Sequence, residues 1–529
     1  MRNTKRIRTL EDIYHLAENK YVEVKKSENS FPNDALKSYS AFANTDGGFL
    51  ILGVDEIKDQ EFQVTGVSNP DKIIKELFDS LCNEKKVNFN LIDDDNIELT
   101  SINGKQILII EVPMASYTQK PIYLNDNPYN CYYRLKSGDY KCTKDQVNQM
   151  IRDSQPNSFD SKPLATFNEN DFDFPTIQKY RNIYSNNKPE HPFNSLSDSE
   201  FLEKIGALIP NRKYNNNLVP TVAGILVFGK YSAIREILPH FHLEYIDKID
   251  VGITQDRWRD RIIYDGSWGE GNLFNFFYTC INKLYLTLKD SFRLDDSSVQ
   301  RTQETPMRTA IREAFVNSII HCDFQSTYGV KITRLNDRFE FCNGGVLRIS
   351  KEDFFSGKFS EPRNHYVQEI FRHINLCERG GTGIPKIMDA VKYYSLTYPK
   401  LTILPNIIQF SIYDISIVES AYDLNESDKN ILRFILNQKL VSRKDVQDKF
   451  NLTKNDAVKN LNRLLDKKYI KRIGKSSATK YALYDEKTEE EFYKYEVLNS
   501  LTDLQHQIRN LWFLKFKPMI YQQKILGKK

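Results

Sequence analysis

A chain of 529 residues exceeds the roughly 250 to 300 residues at which one hydrophobic core stops growing, so two to four domains are expected. Its 74 Lys and Arg against 70 Asp and Glu leave a formal +4, which excludes a uniformly basic nucleic-acid coat, and 40% hydrophobic content excludes a wholly disordered chain. Seven scattered cysteines without CxxC or Cys/His spacing argue against a disulfide framework or structural zinc and fit a reducing cytoplasm.

The opening stretch, MRNTKRIRTLEDIYHLAENK, runs into acids instead of an apolar core and does not read as a signal peptide. No apolar run approaches the ~18 residues of a membrane span, so the protein is expected to be soluble, cytoplasmic and without a membrane partner. Residues 33–44, NDALKSYSAFAN, put Ala35, Leu36, Tyr39 and Ala43 at helical spacing, and Asp46-Gly47-Gly48 stops that helix before a strand over 49–54. Apolar runs at 106–113 and 129–135 add strands to an α/β domain expected over 1–155.

Within that domain Glu18, then Glu23-Val24-Lys25, AFANTDGGFLILGVDE (41–56) and YYRLKSGDY (132–140) resemble the Schlafen AlbA_2 domain, an α+β nucleic-acid-binding module. In relatives with nuclease activity a carboxylate trio holds a divalent metal for phosphodiester cleavage. The resemblance puts Glu18, Glu23 and Asp55 in that catalytic, metal-ligating role for Mg²⁺ or Mn²⁺, with Lys25 on the scissile phosphate. Taken as residues alone, the same acids fit surface caps and a Glu–Lys pair on a domain that binds nucleic acid passively or serves oligomerisation.

Residues 156–175, rich in Ser, Asn, Asp and Pro, read as a linker. A second α/β block is expected over 176–418, with a strand over 221–228 in TVAGILVFGK, a long helix from Pro306 to Cys322, a strand pair over 329–342 and a Gly-rich turn at 380–383. On the long helix Glu313 and Asn317 stand one turn apart, a spacing that suits a water-activating carboxylate beside a metal-coordinating amide. At Cys342-Asn343-Gly344-Gly345 a backbone could approach a ligand closely. Glu378-Arg379-Gly380-Gly381-Thr382-Gly383-Ile384 opens a helix whose amides favour phosphate.

In this order and combination, REAFVNSIIHCDF, FEFCNGGVL, EPRN and ERGGTGI resemble the divergent GHKL-type ATP-binding domain of bacterial proteins labelled RecG-like helicases or regulators, closely over 300–390. TVAGILVFGK matches the same family's preceding segment. The resemblance implies an α/β sandwich that binds ATP and Mg²⁺, with Glu313 as general base and Asn317 as metal ligand. It puts Asn343 and Gly345 at the adenine and Gly380, Gly381, Thr382 and Gly383 in a phosphate-covering lid. Asn343 stands where the family has the Asp of DxGxG, and His321-Cys322-Asp323 replaces His-Arg-Asp. His321 and Arg363 read as structural. The chain lacks a GxxxxGK[ST] P-loop, so no translocase motor is inferred.

Between Asp428 and Lys480 fifteen Lys and Arg face five Asp, a local +10 that leaves −6 for the remainder. Ser442 with Asp445 and Thr453 with Asp456 open two helices. The second, TKNDAVKNLNRLLDKKY, buries Ala457, Leu461, Leu464 and Leu465 and turns Lys454, Asn455, Lys459, Asn462 and Arg463 outward. The strands YIKRI and TKYALY follow, joined by a turn at 474–477. The segment 426–485 resembles a winged helix-turn-helix domain, which implies DNA as partner: the Lys454 helix in a major groove, and Lys471, Arg472 and Lys475 of the wing on phosphate or in the minor groove. The same charges also fit a solvated protein-contact surface. A tail over 488–529 carries Leu498, Leu501, Leu504, Ile508, Leu511 and Leu514 near helical spacing, a packing or homo-oligomer helix.

These elements sum to an α/β multidomain, ATP-responsive nucleic-acid-binding protein, a transcriptional regulator or DNA-associated ATPase acting on DNA or RNA. The competing expectation is a Schlafen-like metal-dependent nuclease gated by nucleotide, in defence against phage. An oligomeric scaffold with vestigial sites is the third.

Overall fold

In this computed structural model the described residues are 21–58, 61–136, 138–212, 216–251, 257–288, 305–378, 381–404, 406–438, 440–473 and 479–484. Val22–Lys25 (β1) and Gly48–Leu52 (β2) pair in parallel. Gly53, at φ +91°, ends β2 and turns the apolar run into Val54–Lys58 (β3), which pairs with Glu61–Val64 (β4). Ile97–Ile102 (β5) and Lys105–Val112 (β6) complete a four-stranded sheet in the order β1-β2-β6-β5. Against it Ala35–Asn44 (α1) buries Leu36, Tyr39, Phe42 and Ala43, and Pro70–Leu81 (α2), capped by Asn69, buries Ile73, Leu77 and Leu81. A small sheet of Tyr123–Leu124 (β7), Asn127–Leu135 (β8) and Gly138–Lys141 (β9) leads into Lys144–Asp153 (α3), which opens on a reciprocal cap between Thr143 and Gln146.

Residues 156–175 do not form the linker their composition suggests. Leu164 N–H donates to Pro220 O, Val222 N–H donates to Lys162 O and Asp173 N–H donates to Phe228 O, while Phe167 and Phe172 enter the central core. The polar residues that suggested a loop serve as caps: Asn168 with Asp171, and Asp173 on Phe174–Asn187 (α4). Asp198–Lys204 (α5), Leu208–Pro210 (β10) and Leu218–Pro220 (β11) follow. The strand expected over 221–228 is instead a helix, Val222–Phe228 (α6), capped by Thr221 Oγ1 on Gly224 N–H at 2.9 Å. All seven of its residues are buried, so the run shows no amphipathic period, and a short, uniformly apolar segment does not distinguish a buried helix from a buried strand.

Tyr231–Ile237 (α7), Leu243–Asp247 (β12), Asp260–Ile262 (β13) and Leu273–Leu286 (α8) precede the long helix Pro306–Ile320 (α9). Val330–Arg334 (β14) and Arg338–Gly344 (β15) form a hairpin. Lys351–Ser356 (α10), His365–His373 (α11), Gly383–Tyr393 (α12), Lys400–Leu404 (β16) and Ile407–Tyr413 (β17) close this part. The sheet runs β13-β12-β14-β15-β17-β16, parallel between β12 and β14 and antiparallel elsewhere. Helix α9 lies on β14 and β15 and against α8, α11 and α12. The described residues from 21 to Ser416 form one unit.

The second unit begins at Ile417. Glu426–Gln438 (α13), Val441–Ser442 (β18), Arg443–Phe450 (α14), Lys454–Asp466 (α15), Ile470–Ile473 (β19) and Lys480–Leu483 (β20) surround a core of Val418, Ile431, Leu432, Ile435, Val446, Ala457, Leu461, Leu464 and Tyr481. Its sheet has the order β18-β20-β19. The leucine tail at 488–529, on which the oligomer expectation rests, lies outside the described residues, as do Glu18, Gly380 and Lys475. Among the described residues no helix is long and apolar enough to cross a membrane. The architecture is mixed α/β and multidomain.

Candidate functional site

Helix α9 fixes the central site. Its cap, Thr305, accepts from Arg308 N–H, Pro306 pre-sets the first turn, and the body is apolar enough to lie almost wholly inside. Glu313 is 4% exposed, and Asn317 stands half-buried one turn on. The first turn of α12 comes in over them: a Cβ on Gly383 would lie 3.0 Å from Asn317 Nδ2 and 3.1 Å from Glu313 Oε2, so backbone occupies space that a side chain would fill. Gly381, at φ +72°, approaches so closely that a Cβ would sit 2.5 Å from Gly357 O. The structure thus brings together Glu313, Asn317, Gly381, Thr382 and Gly383.

It adds a residue that spacing missed. Lys386 Nζ lies 3.3 Å from Glu313 Oε1 and 3.1 Å from Glu378 Oε2, with Arg312 Nη2 at 3.7 Å from the same Glu313 oxygen. Lys386, and then the Thr382 hydroxyl, hold the Glu378 carboxyl below the usual carboxylate range. In sequence Lys386 is one turn after Gly383, a cation following the phosphate-type turn. The first-turn amides of α12 and the Lys386 ammonium offer donors to an anion, and the Glu313–Asn317 pair beside them offers oxygens to a cation.

Asn343 and Gly345 sit at another end of α9, beyond its last turn. Asn343 lies within β15, paired to Val330 and Ile408 on either side, and its Nδ2 donates to Gly344 O at 3.2 Å. Beside Gly345, at φ +115°, a Cβ would meet Arg363 Nη1 at 2.6 Å. That guanidinium donates to His321 O and Val346 O and pairs with both oxygens of Asp153, the last residue of α3, at 2.8 and 2.7 Å. Burial works against the Asp153 carboxylate, but Arg363 and Arg348 outweigh it and hold its pKa below the ordinary value. Burial first, and these two arginines next, push His321 down to about 3. Arg152 to Asp323 and Tyr117 to Glu361 add to the same contact.

In the N-terminal part Glu23, on β1, meets cations. Arg134 Nη1 binds its Oε2 at 2.8 Å and Lys25 Nζ its Oε1 at 3.0 Å. Arg134 also binds Asp139 and Val22 O and lies over the Phe42 ring. Lys25 is shared with Asp34 at 2.9 Å. Burial opposes its charge, but Asp34 and Glu23 raise its pKa above the lysine norm. Asp55 lies half-buried on β3. Among the described residues no three His, Cys, Asp or Glu side chains gather to hold a metal ion, and the Glu23 carboxylate is engaged by an arginine and a lysine. Arg134, within YYRLKSGDY, is the partner that a search for carboxylates passes over.

In the second unit Lys454, Asn455 and Lys459 are exposed, as expected. Arg463 is not a free outward cation: its Nε and Nη2 grip the buried Asp428 carboxylate at 2.8 and 2.9 Å. Helical spacing puts Arg463 on the polar face, but it cannot register an acid near the start of α13. Arg472 donates to Asn462 Oδ1 at 2.9 Å, and Lys471 is half-buried.

Residues 18–143 match the family model described as "Schlafen, AlbA_2" and residues 328–411 that described as "Putative ATP-dependent DNA helicase recG C-terminal". Residues 148–244, which include the packed stretch between them, match a "Domain of unknown function (DUF8451)". Among solved structures, the DIP2311 protein from Corynebacterium diphtheriae is similar at 14% identity over 88% of this chain and 95% of that one, with a TM-score of 0.39. The N-terminal domain of a putative ATP-dependent DNA helicase RecG-related protein from Nitrosomonas europaea is similar at 29% identity over 25% of this chain and 90% of that one, with a TM-score of 0.20. No match is found among curated proteins. The chain carries a Schlafen AlbA_2 domain and, after it, a RecG-like C-terminal ATPase-like domain.

Proposed function

We propose that the protein is a DNA-associated, ATP-responsive regulator that binds nucleotide between α9 and α12 and nucleic acid through residues of its AlbA_2 domain and its basic second unit. The observation that carries the reading is the closure of the Gly381–Gly383 turn and Lys386 over Glu313 and Asn317. A nucleotide's phosphates would take the first-turn amides of α12 and draw Lys386 from Glu313. The oxygen donors fit a hard divalent cation, with the Lys386 ammonium now the cation nearest Glu313 Oε1. Asn317 and the phosphates would hold Mg²⁺, which supplies neutralisation of phosphate charge. Glu313, released from Lys386, would orient water. Asn343 and Gly345 belong to the adenine side in this proposal, with Arg363 beside them.

The helix–strand order of 426–483, with Lys454, Asn455 and Lys459 exposed on α15, supports reading that segment as a winged helix on DNA. The nuclease reading rests on a resemblance, and the cations around Glu23 give it no added support.

Thermal unfolding with and without Mg-ATP tests the central site. At ligand about 100-fold above Kd the gain is about 2.7 kcal/mol, a rise of several degrees. Asn317→Ala and Lys386→Met should each reduce that rise, whereas Glu313→Ala, which removes the water-orienting group and releases Lys386, should leave it. A wild-type curve unmoved by millimolar Mg-ATP would sink the nucleotide site.

A further inference from the structure

Two thiols outside every site described so far lie against each other. Cys131, on β8, and Cys142, just after β9, are cross-strand neighbours one step beyond the Tyr132–Lys141 pair, with Cys142 N–H donating to Cys131 O at 2.8 Å. Their sulfurs are 3.3 Å apart, and both cysteines are free thiols. Antiparallel neighbours have Cα atoms about 4.5 to 5.5 Å apart, inside the range a disulfide spans, so a bond of about 2.05 Å needs sulfur motion of roughly 1.2 Å and little of the backbone.

The surroundings are polar on one side. Asn44, the last residue of α1, donates Nδ2 to Cys131 Sγ at 3.3 Å while also holding Ile122 O and Tyr132 O. Burial lowers the pKa of Lys120, near both sulfurs, to about 8, while the hydrogen bond to Cys142, and then burial, push the Cys131 thiol above its usual range, so Cys131 rests as the protonated donor of the pair. Val147, Tyr123 and Tyr133 close the other side. Cys131 is fully buried and Cys142 is 8% exposed, so Cys142 is the more accessible residue of the two.

We infer that Cys131 and Cys142 form a dithiol modification site, converted by a hydroperoxide to a disulfide that closes the β8–β9 loop. The Cys142 sulfur attacks one peroxide oxygen. The O–O bond breaks, Cys142 becomes a sulfenic acid, and the other oxygen leaves as water or alcohol with the thiol proton. The Cys131 sulfur then attacks the sulfenic sulfur, the S–O bond breaks, and hydroxide leaves as water with the second thiol proton. The two thiols lose two electrons in all, and the peroxide gains them. The loop enclosed contains Arg134 and Asp139, the groups bonded around Glu23, so the bridge fixes the segment that sets charge at that end of the AlbA_2 sheet.

The full-length, reduced protein is treated with hydrogen peroxide, quenched, alkylated under denaturing conditions and mapped as peptides without reductant. The expected result is a Cys131–Cys142 linked peptide, a loss of about two hydrogens in mass and recovery of both thiols with dithiothreitol. Exposed Cys82 serves as an internal measure of oxidant reach. Cys142→Ser should abolish the link, and because the wild-type map needs no variant, a poorly folding mutant leaves the test intact. Cys131 and Cys142 both recovered as free, alkylated thiols after Cys82 has been oxidised, or a link that joins either to another cysteine, overturns the inference.

Discussion

Glu23 and Glu313 are both read as catalytic carboxylates, and in both the nearest opposite charge belongs to the protein. The two cations differ in kind. Arg134 at Glu23 is 2% exposed at its side chain and bonded to Glu23, Asp139 and Val22 O. Its guanidinium is permanently charged and held by a planar fork. Lys386 at Glu313 is 31% exposed and is shared with the open Glu378 carboxylate. An ammonium on a flexible, part-exposed stem can swing toward solvent while Arg312 stays 3.7 Å from the buried Glu313 carboxylate, whereas the buried guanidinium has no such path. The first carboxylate is therefore part of the architecture, and the second is poised to exchange one cation for another.

The largest expected effect tests the fixed member of that pair. Arg134→Ala leaves Glu23 to Lys25 alone and takes the guanidinium from Asp139, and should lower the stability of the first unit by about 3 kcal/mol, the low end for breaking a buried pair, read by urea unfolding. A loss within about 0.5 kcal/mol, the range of ordinary surface substitutions, would mean that Arg134 is as exchangeable as Lys386. At the central site the sharper probe is backbone. Gly381→Ala places a side chain at φ +72° against Gly357 O, which costs about 1 to 2 kcal/mol from the left-handed conformation alone, and it should weaken the nucleotide-dependent stabilisation along with it.

His321 provides a third test, beside the Asp153–Arg363 pair. Its folded pKa, about 3, lies below the value near 6.5 of an unfolded histidine. Between those values the unfolded chain binds a proton that the folded chain refuses. Stability must then fall as pH drops below about 6.5, by up to about 1.4 kcal/mol per pH unit for this group. His321→Asn should flatten the decline over pH 6.5 to 4.5 in unfolding midpoints. An unchanged slope would mean that the imidazole is not held neutral by burial and its arginine neighbours.

How much of this was legible in the sequence follows from the range of each signal. The turn after Asn44, the start of the long helix at Pro306, the strand pair over 329–342 and the Glu313–Asn317 spacing are local, and the fold carries them. The helix 222–228 was misread because a segment buried all round has no period. The stretch 156–175 was misread because its Asn and Asp residues cap short turns within a packed segment. The partners of Glu23, Asp153 and Glu313 were out of reach for another reason: Arg134, Arg363 and Lys386 stand 111, 210 and 73 positions away from them, respectively. Residue type identifies acids fit for catalysis, but which cation neutralises each is decided by the sheet order and by how α9 and α12 meet.

The smallest expected effect carries the contrast between fixed and exchangeable cations into the second unit. Arg463 is tied to buried Asp428, while Lys454 and Lys459 on the same helix are exposed. If α15 lies on DNA, each exposed lysine that neutralises a phosphate releases counterion, and log affinity falls against log salt with a slope near 0.9 per contact. Lys454→Gln and Lys459→Gln should then each reduce the slope by about 0.9 while leaving stability within about 0.5 kcal/mol. Arg463→Gln should do the reverse, destabilising the unit by stranding Asp428 while leaving the slope of the surviving folded protein nearly unchanged. Fluorescence anisotropy on a short duplex across a salt series, paired with thermal unfolding of the same samples, separates the two outcomes. Equal slopes for wild type and both lysine variants would remove α15 from the nucleic-acid interface and leave DNA contact to other residues.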